Sequence, residues 1–223
     1  MECEEIVLNN GGFQMGTDRN KLFKISMAAS IVLFVGVLAA AAIQKEFAGH
    51  AVTSQVQVPL RNFGVVWENK LTRSGLPHDK SGWNWLRQTR GAKSIVTFRP
   101  QNDVDYERYG FDRVYRIPLS GTEVPTDEQV DTFLRFVQDP GNWPVHIHCS
   151  AGKDRTGMMA VLVRYAIDGW PIDKALEESR TYRGGEDLPH KRLAWLQTWA
   201  ANHKPGSYRS SSWNLPGLSQ AVN

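Results

Sequence analysis

Residues 145–157 read VHIHCSAGKDRTG. Val145 to His148 alternates β-branched residues with histidines and reads as a short strand. Cys149 to Lys153 is a small-residue loop, and Thr156 to Ile167 is an apolar helix that Gly169 ends. A strand–loop–helix turn aims successive backbone N–H groups and the positive end of a helix into one concavity, which is an anion site. A cysteine placed there feels the same field, so its thiolate is stabilised. Arg155 closes the loop and can hold two oxygens of a tetrahedral anion at once. The Thr156 hydroxyl can donate to the sulfur. A nucleophilic thiolate inside a phosphate cradle implies covalent phosphoryl transfer.

Outward from this turn, apolar runs alternate with helical patterns. Phe63–Trp67 and Leu71–Arg73 read as a hairpin across Glu68-Asn69-Lys70. Ser81–Arg90 reads as a helix, Lys93–Phe98 as a buried strand and Val114–Leu119 as another. Thr126-Asp-Glu-Gln129 is a capping-box pattern opening a helix with Val130, Phe133, Leu134 and Val137 on one face. Helices follow near Asp173–Thr181 and His190–Ala201. The pattern predicts an α/β fold: a central, largely parallel sheet flanked by helices on both faces.

The string H-C-x5-R-[ST]-G at a strand–helix junction resembles the cysteine-dependent protein phosphatases. HCSAGKDRTG is most similar to the bacterial dual-specificity and tyrosine phosphatases, and also to lipid phosphatases and myotubularins. The resemblance runs from Leu71 (LTRSGLP) to about Trp199. It implies that Cys149 is the nucleophile and that Arg155 binds the phosphoryl oxygens. The N–H groups of Ser150, Ala151, Gly152, Lys153, Asp154 and Arg155 would complete the cradle. Thr156 would support the thiolate, and His148 would orient the loop by hydrogen bonding. The implied substrate is a phosphorylated protein or, with Lys153 as an extra cation at the rim, a phosphoinositide. No cofactor is implied.

The general acid departs from the family pattern. The position where an Asp is expected falls at Gly121. Asp154 inside the loop is the first substitute, Glu123 the alternative and Asp127 the third. Without a working acid, the chain would favour leaving groups of low pKa, or serve only as a weak phosphate-binding module. Trp143-Pro144 is not the family's acid loop, since no Asp follows it. Arg99 and Arg183 sit on loops that can face the pocket, although surface positions explain them. His146 is assigned to the sheet face opposite His148, and such a pair is a poor metal site, so no metal is expected.

Residues 25–43 read ISMAASIVLFVGVLAAAAI, without charge and close to the ~20 residues that span a bilayer. The preceding 24 residues contain Glu2, Glu4, Glu5 and Asp18, unlike a basic signal n-region. The segment therefore reads as one transmembrane helix rather than a cleaved signal. Arg19, Lys21 and Lys24 before it would keep residues 1–24 in the cytoplasm and place the catalytic domain outside. A linker over 44–62, a phosphatase domain over 63–202 and a disordered tail over 203–223 complete the expected organisation. Two cysteines exclude a disulfide scaffold, and a net charge of +3 gives no footprint for nucleic acid.

Overall fold

The computed structural model describes residues 58–210. Among them, five strands form one sheet: β1 (Gly64–Trp67), β2 (Leu71–Gly75), β3 (Ser94–Thr97), β4 (Arg113–Arg116) and β5 (Val145–Cys149). Their order is β1-β2-β5-β3-β4. The sheet is mixed, because β1 pairs antiparallel with β2 while the other three pairings are parallel. The strand carrying the cysteine is central. Gly75 lies opposite Cys149 on one side and Thr97 opposite His148 on the other.

The helices are α1 (Lys80–Asn84, continued by a wider turn over Trp85–Thr89), α2 (Asp127–Gln138), α3 (Asp154–Ala166), α4 (Ile172–Thr181) and α5 (His190–Ala201). The capping box at α2 forms as predicted: the Gln129 amide donates to the Thr126 hydroxyl and the Thr126 amide to the Gln129 side chain. β4 stops at Arg116 rather than Leu119. Pro118 has no N–H to continue the ladder, although the Ile117 and Leu119 amides still reach Thr97 and Phe98 carbonyls.

Val145, Ile147 and Cys149 face the larger core, with Phe98, Phe133, Leu134, Met158 and Leu162. The other face carries Ile95 against Trp83, Leu86, Tyr106 and Phe111. His146 and His148 share this second face, which corrects the expectation that they point apart. Residues two apart on a strand point the same way, and the two rings stack 6.1 Å apart. His146 bonds Thr72 and Ser74 hydroxyls, and His148 bonds the Tyr106 hydroxyl at 3.0 Å.

Burial holds both imidazoles neutral, with His148 lowered to about 3 and His146 well below its ordinary value. The unfolded chain takes up these protons below about pH 6.5, and the folded chain does not until far lower. Stability is therefore complete above pH ~6.5 and falls as pH drops toward 3. Urea midpoints measured between pH 7 and pH 4.5 should show the fall, and His148→Gln should lessen it, leaving the part that His146 carries. An equal fall in that variant would assign the effect to other groups.

Packing begins before Phe63. Leu60 is buried in the smaller core, and the Gly75 amide donates to the Arg61 carbonyl at 2.9 Å. The tail expected to be disordered from His203 is fixed as far as Ser210. His203 stacks on Trp199 at 3.8 Å, the Tyr208 amide donates to Ala166, and Arg209 donates to the carbonyls of Ile167 and Asp168. The apolar segment Ile25–Ile43, with its orientation, lies outside the described residues. Among the described residues, no helix is long and apolar enough to cross a membrane.

Candidate active site

Cys149 ends the central strand, and the loop 150–153 carries the chain into α3. The carbonyls of Ser150, Ala151 and Gly152 are held by other parts of the chain. Ser150 accepts from the Leu76 amide and Arg61, Ala151 from the Asn62 side chain, and Gly152 from Arg73 at 2.7 Å. In a trans peptide the C=O and N–H point opposite ways, so these bonds aim the following amides toward the sulfur side. The Gly152 amide indeed donates to Cys149 Sγ at 3.2 Å.

Gly152 is at φ +74, and a Cβ there would lie 2.4 Å from the Gly75 nitrogen. Only glycine permits this close approach of the loop to β2.

Cys149 is 2% exposed. Burial alone raises its thiol pKa. The Thr156 hydroxyl and amide, the Arg155 charge and the Gly152 amide outweigh it, so the pKa is lowered. The Thr156 hydroxyl is fully buried and has no hydrogen-bond partner among the described residues, which leaves it available to the sulfur. His148 Nδ1 meets the Cys149 carbonyl at 3.3 Å.

Arg155 is braced before any ligand arrives. Its Nη1 donates to the carbonyls of Phe98 and Leu119, and its Nη2 to the Ser150 hydroxyl, each at 3.2 Å. Three of the five guanidinium N–H groups are so engaged. The Nε–H and one Nη2–H remain for an anion. Lys153 stands exposed at the rim.

The family model described as "DSP-PTPase phosphatase fused to NAD+ Kinase" matches residues 63–194, more than half of the chain. The chain belongs to this phosphatase family. Among curated relatives of this dual-specificity phosphatase-type chain is the inositol diphosphatase SIW14 of Saccharomyces cerevisiae. It is 26% identical over 141 residues, covering 60% of this chain and 49% of the relative. The dual specificity protein phosphatase TpbA of Pseudomonas aeruginosa is 31% identical over 115 residues, covering 52% and 51%. The chain thus spans about half the length of these relatives.

The solved core of SIW14 matches the fold with a TM-score of 0.56 at 21% identity, over 65% of this chain and 89% of that one. A TpbA structure matches with a TM-score of 0.51 at 25% identity, over 65% and 92%.

Two acid candidates of this phosphatase-family chain, Glu123 and Asp154, are engaged elsewhere. Gly121 takes φ +42, and its carbonyl accepts from Arg192 at 2.6 Å. Glu123 folds back on its own turn and accepts from the Ser120 amide at 2.5 Å. Asp154 pairs with Arg183, not with Lys153 or Arg155. Asp127 lies in the first turn of α2, where the helix field accounts for it.

Neither loop arginine is an ordinary surface residue. Arg99 is 8% exposed and makes a two-pronged pair with Asp103, while Arg183 lies over Asp154. Sequence reading missed Asn62, Arg73 and Arg192. Arg73 is 1% exposed and stacks on the Tyr182 ring at 3.8 Å. A buried arginine inside a strand was the available signal, since arginine is almost never buried without a specific partner.

Proposed function

We propose that the chain hydrolyses phosphomonoesters of the protein-tyrosine or dual-specificity class through phosphocysteine on Cys149. The thiolate attacks phosphorus, the P–O bond to the leaving group breaks, and the leaving oxygen takes up a proton. Water then attacks phosphorus, the P–S bond breaks, and the thiolate returns with release of phosphate. One observation carries the reading: a buried cysteine with a lowered pKa, faced by amides whose carbonyls are tied back and by a braced Arg155. Acid quenching during turnover of 4-nitrophenyl phosphate tests it. Mass spectrometry should find the phosphoryl group on the Cys149 peptide. Turnover with no such adduct in Cys149, and no burst of nitrophenol, would sink the mechanism.

A second reading is a phosphoinositide or inositol phosphate substrate. It is favoured by Lys153 at the rim and, where the bond cleaved is that of an inositol diphosphate, by the engaged acids, because the leaving group is then itself a phosphate and needs no protonation. The relative SIW14 is named as an inositol diphosphatase.

Leaving-group dependence tests the acid within either reading. A positioned acid contributes about 10²–10⁴-fold to proton transfer. If Asp154 is the acid, Asp154→Asn should slow phosphoserine hydrolysis by about 10²-fold and 4-nitrophenyl phosphate hydrolysis only about threefold. Glu123→Gln should show that split if Glu123 is the acid. An equal loss on both substrates assigns a structural role, which the Arg183 pair favours for Asp154. If neither substitution separates the substrates, the site works without a side-chain acid.

A further inference from the structure

Arg192 projects from the first turn of α5 and is 3% exposed. Its Nη2 donates to the Gly121 carbonyl at 2.6 Å, and its Nε has no partner among the described residues. Burial lowers its pKa. The charges of Arg155 and Arg183 act in the same direction and that of Cys149 against it, so this guanidinium stands within electrostatic reach of the cradle. Burying a third cation near Arg155 and Arg183 opposes folding unless the position is used.

The bond reaches a particular segment. Residues 119–123 leave β4 toward α2: Leu119 is buried, with its amide on the Phe98 carbonyl and its own carbonyl on Arg155, and Gly121 is held by Arg192. Between and beyond those points the segment bonds only to itself, Ser120 with Glu123 in both directions. The left-handed backbone at Gly121 fixes the direction of the carbonyl that Arg192 meets.

We propose that Arg192 is a positioning residue of the catalytic centre: by clamping the Gly121 carbonyl it fixes the 119–123 segment, whose Leu119 carbonyl in turn braces Arg155. The role rests on the phosphatase reading for its effect on rate, but not for its effect on the segment. Without the clamp the turn after Leu119 loosens. The Leu119 side chain and amide stay in the core and on Phe98, but its carbonyl, which belongs to the peptide joining it to Ser120, loses its fixed direction, and Arg155 loses one of the two carbonyls that hold Nη1. The guanidinium must then be ordered by the substrate itself, which lowers kcat more than it raises KM.

Two measurements on the full chain test this, with Arg192→Met and the milder Arg192→Gln, which keeps an N–H donor. Hydrogen exchange in the peptide covering 119–124 should rise about tenfold in Arg192→Met, with β5 and α3 amides unchanged. For 4-nitrophenyl phosphate, kcat should fall about tenfold with KM within about twofold. Arg192→Gln should lie between wild type and Arg192→Met in both. If Arg192→Met does not fold, Arg192→Gln alone must show the local rise in exchange. Unchanged exchange in 119–124, or a rise shared equally by β5 and α3, overturns the proposal. Local exchange that rises with kcat unchanged also overturns it, since the segment would then move without affecting Arg155. Should the wild type show no turnover, the phosphatase reading fails, and the exchange result still decides the clamp.

Discussion

Cys149→Ser is expected to lower turnover of 4-nitrophenyl phosphate by about 10⁴-fold or more while inorganic phosphate still binds. The serine hydroxyl has the same reach as the thiol but is a far weaker nucleophile without a base. His148 cannot supply one. Its Nε2 meets the Tyr106 hydroxyl, and its Nδ1 meets the Cys149 carbonyl rather than the side chain. The cradle does not depend on sulfur. Its carbonyls are tied to Arg61, Asn62, Arg73 and Leu76, and Arg155 to Phe98 and Leu119. Steady-state kinetics with calorimetric titration of phosphate separates the two quantities. A variant that turns over within tenfold of wild type would remove Cys149 from the mechanism. A variant that loses both turnover and phosphate binding would mean that the sulfur shapes the cradle.

Arg155→Lys should cost about 10³-fold in kcat for the same substrate, near the upper end of what one transition-state charge clamp supplies. The loss follows from the count of donors. The guanidinium uses three N–H groups to stay in place and keeps two for the phosphoryl oxygens. An ammonium has three donors in all, so it can either take the braces or face the ligand with a fork, not both. The charge is retained, so the loss reports geometry. Thermal midpoints should stay close to wild type, because Arg155 is only partly buried. A rate within tenfold of wild type would show that charge near the sulfur suffices and that the braces are incidental.

Much of this site could be read from the chain because its parts are contiguous. Cys149, Arg155 and Thr156 lie within one turn whose spacing fixes their relation, and the turn sits where a strand meets a helix. What the sequence did not disclose depends on distant pairings. Asn62 and Arg73 reach the loop carbonyls from 89 and 79 residues away, and no local pattern encodes such a meeting. Asp154 looked like a candidate acid because it stands in the loop, but Arg183 comes to it from beyond α4. Gly121 read as an acid gone missing; in the fold its carbonyl has a partner of its own. The assignment of His146 and His148 to opposite faces failed for a simpler reason. A strand alternates with period two, so that pair shares a face whatever surrounds it. β4 ended early because the run VYRIPL contains a proline, a stop that hydrophobicity does not register.

The segment after α5 returns to the far end of α3, where the Gly206 and Tyr208 amides and the Arg209 guanidinium take up carbonyls of Tyr165, Ala166, Ile167 and Asp168. This is the helix whose other end opens onto the phosphate cradle. The negative pole of its dipole is thus met by a fixed cation, while the positive pole is left facing the loop for a visiting anion. A cut placed at Asn202, where the phosphatase domain expected from sequence ends, would strip that counter-charge and leave the last carbonyls to water. An excised unit should therefore keep at least the residues through Arg209 that make these contacts.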